Sequence, residues 1–181
     1  MRVLNHVVPI AGVVVLCLMR HAVSGAPSEC ASTDDASPPP AVRFDPVERE
    51  IEGWTVHVEP SLLEGEESEL GARALRMLAD HLNRIAILMA EERLKEVRTL
   101  EIWIESDHPV LKAMQYHPSR AWLEEHGHDS RLAKMVHIPR ASALVERRQL
   151  VKHPMVVLHE LAHSYHDQFI SFDNPRIIEA Y

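Results

Sequence analysis

His159-Glu160-Leu161-Ala162-His163 constrains this 181-residue chain more than any other stretch. Val156-Val157-Leu158 precede it, and Leu161 and Ala162 fill its middle. That pattern predicts a helix, over about 154–169, with an apolar rear face. Pro154 sits where a first helical turn tolerates proline. Positions i and i+4 of a helix share a face, about 6 Å apart. Two imidazoles so placed can both reach one zinc ion at about 2.0–2.1 Å. His159 and His163 are therefore candidate metal ligands.

Glu160 follows the first of them. From there its carboxylate can reach a zinc-activated water without itself binding the metal. As general base it takes the proton of that water and can return it to a leaving amine. Zn2+ as cofactor, a peptide or protein as substrate and Glu160 as catalytic residue make up the metalloprotease reading of the motif.

Other parts of the chain set limits on this reading. The formal net charge of −8 argues against nucleic acid, which requires a basic footprint. Arg2, the apolar run Val7–Met19 and the small residues Ser24-Gly25-Ala26 predict a signal peptide over 1–26. The run is too short to span a membrane. The expected product is secreted or periplasmic and carries no membrane segment after cleavage; an uncleaved anchor is the competing reading. Removing Arg2 and Arg20 would leave −8 − 2 = −10. Cys17 lies in the segment to be removed. Cys30 then stands alone, so no intrachain disulfide is expected.

Residues 27–42 are rich in Pro, Ser and small residues, a composition expected to be a disordered linker. The folded domain is expected over 43–181. Trp54, Val56 and Val58 alternate with polar neighbours, as do Leu100, Ile102 and Ile104, and Met135–Ile138 is a third short strand. Leu70, Ala74, Leu78, Leu82, Ile85 and Met89 mark one face of a long helix over about Glu67–Ala90. Ser119–His126 predicts a short helix closed by Gly127, and 141–150 another. The class is α+β or mixed α/β, a small sheet with a backing helix and the motif helix beneath.

The motif segment resembles the active-site helix of the zincin metallopeptidases. The metzincin continuation would place Gly and His where His166 and Phe169 stand, so that branch fails. The run from His159 to Gln168, with Phe172-Asp173-Asn174-Pro175, looks most like secreted bacterial gluzincin-type peptidases related to the lethal-factor toxin protease. The resemblance is specific over about 153–181. It is looser over 53–152, where Tyr116-His117-Pro118 and Trp122-Leu123 carry it. It implies a zincin-like twisted mixed sheet, and a third ligand that is a Glu on a later helix. That Glu would fall beyond Tyr181, so the chain is expected to be an incomplete domain lacking the C-terminal subdomain.

Of the residues present, Glu179 is the one later Glu that could serve. His166 lies about 10.5 Å along the axis from His159, too far to converge with it; a cleft wall is its expected place. Asp167, at i+4 from His163, could orient an imidazole. Tyr165 suits packing. Val136–Ile138 is either an edge strand that pairs with extended substrate or an ordinary interior strand. His137 and His117 are either cleft residues or satisfied surface histidines. Two other readings stay open: a catalytically inactive secreted remnant of the zincin fold, and a binding domain with a fortuitous motif.

Overall fold

The computed structural model describes residues 42–171 and 173–179. The expected signal peptide (1–26) and all of the expected linker except Val42 lie outside the described residues.

The fold opens with a hairpin, whose second strand is the one expected around Trp54, Val56 and Val58. Strands β1 (Val47–Ile51) and β2 (Trp54–Val58) pair antiparallel around Glu52 and Gly53. Both turn residues have positive φ, 53° and 88°, the geometry of a two-residue turn that matches strand twist. A 3₁₀ turn (Pro60–Leu62) leads into helix α1 (Ser68–Leu88). Gly71 is needed where the two touch. A Cβ there would lie 1.8 Å from the Leu62 carbonyl oxygen, well inside van der Waals contact. Met89 and Ala90 are extended and end the helix, and α2 (Glu91–Val97) follows as a separate piece.

Strand β3 (Ile102–Ile104) runs parallel to β2. A two-residue strand, β4 (Gln115–Tyr116), precedes α3 (Arg120–Glu125), which ends at Gly127 with φ 69°. Strand β5 (Val136–Ile138) pairs parallel to β3 and antiparallel to β4. The sheet is therefore mixed and five-stranded, in the order β1-β2-β3-β5-β4, and the class is α+β. Val136–Ile138 is an interior strand, and β4 is the edge. The segment expected as one helix over 141–150 is a 3₁₀ turn (Ala141–Leu144) followed by α4 (Arg147–Lys152). The motif helix α5 (Val156–Tyr165) gives way to a π-helical turn (His166–Ile170), and α6 (Pro175–Ile178) follows. Among the described residues no helix is long and apolar enough to cross a membrane.

Two layers flank the sheet. On one face Val56, Val58, Ile102, Ile104, Val136 and Ile138 bury against Leu78, Leu82 and Ile85 of α1 and Val157 and Leu161 of α5. Each such side chain contributes about 1.5–3 kcal/mol when fully buried. On the other face Trp103 packs with Leu123 and Leu132, which come from the connection between β4 and β5, and with Phe44.

Candidate metal centre

Helix α5 divides its residues between two environments. Val157, Glu160, Leu161 and Ser164 are buried, whereas His159, Ala162 and His163 are exposed. The core thus fixes the helix and its opposite face presents both imidazoles. Their Nε2 atoms converge to 3.1 Å, with the rings at 82°. Two nitrogens bound to one zinc ion in a tetrahedron lie about 3.3 Å apart, given bonds of about 2.0–2.1 Å. The pair therefore fits a shared cation. One proton carried between the rings fits the same gap, so metal competes with a proton there.

Glu160 leaves the helix toward the sheet. It is 9% exposed, and its Oε2 accepts the Tyr116 backbone N–H at 3.1 Å. Burial pushes its carboxyl above the usual range; the charges of His159 and His163 and the Tyr116 N–H act against that rise. A raised carboxyl suits a general base working near neutral pH. The contact also ties the motif helix to the outer rim of β4, because the neighbouring His117 N–H points inward to Met135 O at 3.2 Å.

A polar latch holds that arrangement. Tyr116 Oη donates to Asp167 Oδ2 at 2.5 Å, and Lys134 Nζ donates to the same oxygen at 2.5 Å. Gln168 Nε2 donates to the Lys134 carbonyl and to Ser164 Oγ. Lys134, at φ 69°, returns its own N–H to the His117 carbonyl at 2.7 Å. The π-helical turn is thereby fastened to both ends of the β4–β5 connection. Asp167 therefore serves Tyr116 and Lys134.

The remaining candidates separate from the pair. Tyr165 Oη donates to Glu96 at 2.7 Å and stacks on Phe169, bracing α5 against α2. His166 is half-buried at the start of the π-helical turn, and Glu179 is exposed in the turn after α6. Among the described residues no group of three or more His, Cys, Asp or Glu side chains is placed to hold a metal. The described residues group neither His166 nor Glu179 with the pair.

His117 and His137 are neither cleft nor surface residues. They lie on the far side of the sheet, His137 wholly buried. Glu105 collects Arg43, Trp103 Nε1 (3.1 Å) and His137 Nε2 (3.1 Å). Burial raises the Glu105 carboxyl, but the His137 hydrogen bond and the charges of His137, Arg43 and His108 outweigh it and hold it below the usual range. An ionised carboxylate only accepts, so His137 donates from Nε2. Its Nδ1 then meets His117 Nε2 at 3.2 Å. His108 closes the group with its ring edge-on to His137, while its Nδ1 accepts the backbone N–H groups of Val110 and Leu111.

Comparison with protein-family models, with curated proteins and with solved structures finds no match for this chain.

Proposed function

We propose that the chain carries the motif-bearing part of an exported zinc metallopeptidase of zincin type. His159 and His163 are its metal ligands and Glu160 is its general base. The convergence of the two Nε2 atoms at 3.1 Å beside a buried, proton-hungry carboxylate carries the reading.

Zinc, when bound, supplies Lewis acidity toward a scissile carbonyl and lowers the pKa of water. The chain's own groups do the rest. Glu160 takes the proton of the attacking water and delivers it to the departing amine. The Tyr116 N–H fixes one carboxylate oxygen, so the other is left for that exchange. Val136–Ile138, open from the sequence between a substrate-pairing edge strand and an interior one, is interior, and the outward N–H of the edge strand β4 is taken by Glu160.

A second reading is a secreted zincin-fold binding domain without turnover. It is favoured by one observation, that only two ligating side chains come together among the described residues. Catalytic zinc sites ordinarily use three.

The test is zinc titration of the purified chain by calorimetry, paired with cleavage of a quenched fluorescent peptide library. One zinc equivalent is expected, lost in His159→Ala and kept in Glu160→Gln, with cleavage lost in both. Zinc binding without any cleavage selects the second reading. Absence of stoichiometric zinc, or full activity in Glu160→Gln, rules the proposal out.

A further inference from the structure

A cleft of about 510 Å³ opens beside the candidate centre, with His159 and Glu160 in its wall. That volume lies within the range of small-ligand sites. Ala113, Met114, Ala143 and Val156 give it an apolar lining. Its polar lining is one-sided. Glu160 is the sole acid among the residues that border it, whereas Lys152 and His153 also line it.

Helix α4 aims its charge there. Gln149 and Lys152 border the cleft, and Arg148, four residues before Lys152, lies on the same helical face. Both cations are exposed. Among the described residues neither has an ion-pair partner, unlike Lys112 on Asp107 or Lys134 on Asp167. The sequence around them runs against the rest of the chain. Residues 140–153 hold Arg140, Arg147, Arg148 and Lys152 against Glu146, or 4 − 1 = +3, in a chain of net −8. An acidic protein repels anionic peptides at long range. A local reversal of sign draws them in within a Debye length, about 8–10 Å at ordinary salt.

Resting on the peptidase reading, we propose that this cleft selects peptides in which an apolar side chain is flanked by a carboxylate. Ala113, Met114, Ala143 and Val156 seat the apolar group, and Lys152 with Arg148 reads the charge. Exposed ion pairs are worth about 0.2–1 kcal/mol each. Two of them predict roughly a two- to thirtyfold preference for an acidic flank over a neutral one at low salt.

The experiment measures binding, so it does not depend on turnover. Fluorescein-labelled octapeptides containing Leu-Asp, Leu-Asn, Leu-Lys or Gly-Asp are titrated by anisotropy into the full chain, stripped of metal with chelator. The expected order of affinity is Leu-Asp, then Leu-Asn, then Leu-Lys, with Gly-Asp weaker than Leu-Asp. The gap between Asp and Lys should close at 0.5 M salt. Arg148→Glu/Lys152→Glu should invert the order of Asp and Lys, and Lys152→Gln should halve the discrimination or better. Both sites are exposed, and circular dichroism should show an unchanged fold. Equal affinities, an order that survives the double charge reversal, or no binding to any of the four overturns the proposal. If acidic selection is found but no zinc binds, the peptidase reading fails and the cleft assignment stands. If cleavage occurs with no regard to the flanking charge, the reverse holds.

Discussion

On one face of the sheet, Val56, Ile102 and Val136 join the main apolar cluster with residues of α1 and α5. One residue further along each strand, His57, Trp103 and His137 form a row in the same register on the other face. That row is also covered, by Leu123, Leu132 and Phe44, but its middle is polar. Glu105 is 3% exposed and is stabilised by partners rather than by solvent. The first face draws its stability from the area removed from water. The second draws it from complete hydrogen bonding, since a buried polar group that loses its partner costs about 1–3 kcal/mol, more if charged. A layer of the first kind tolerates change in proportion to volume. The second depends on every member of its network being present.

Four measurements can break or sharpen that contrast. Leu82→Ala, in the apolar layer, should lower unfolding free energy in urea by about 2–5 kcal/mol; a loss well under 1 kcal/mol would place Leu82 outside the core. Glu105→Leu strands the His137 N–H and the Trp103 N–H and should cost about 2–4 kcal/mol. Adding His137→Leu should cost less than the sum of the two single losses, by about 0.5–3 kcal/mol, whereas strict additivity would mean that the two groups are not one network.

Acid should separate the faces next. Burial lowers His117 to about 3, with His137, His128 and His108 adding to the effect and Glu105 opposing it. Burial also lowers His108 to about 4, against the pull of Glu105. Between those values and the unfolded value of about 6.5, the unfolded chain binds more protons, so stability rises with pH. Above pH 7 both rings are neutral in either state and cost nothing; the penalty sets in as pH falls below about 6.5 and is full near pH 3. His117→Asn should flatten that slope in urea titrations between pH 4 and 6; an unchanged slope would remove His117 from the account. The smallest effect belongs to His159→Ala. Its ring is exposed, so stability of the metal-free chain should move by less than about 0.5 kcal/mol, and a larger loss would show the ring to be structural.

The legible part of the fold was whatever had a period. The stripe Leu70, Ala74, Leu78, Leu82 and Ile85 and the alternation of β2 and β3 state their elements directly. Two-residue β4 has no period, and its place at the edge is set by pairing with β5. Glu101, Trp103 and Glu105 read as the polar side of a strand. Alternation shows that one side of a strand differs from the other; it does not show that the side is wet. Here residues 117–134 fold over it, and Trp103 was the available hint. At the centre, His159 and His163 follow from helical geometry. The Tyr116 N–H on Glu160 and the Asp167 latch are long-range contacts, and no local spacing encodes them. The π-helical turn also altered where Asp167 points.

Helix α5 stands on Val157 and Leu161 and displays its imidazoles on the far side. On the peptidase reading, folding and metal loading would therefore be separable events in this chain. On that reading a chelator would empty the site and leave the fold intact. Either exposed ring could then be lost without a folding penalty, and on the same reading only selection on turnover would retain both.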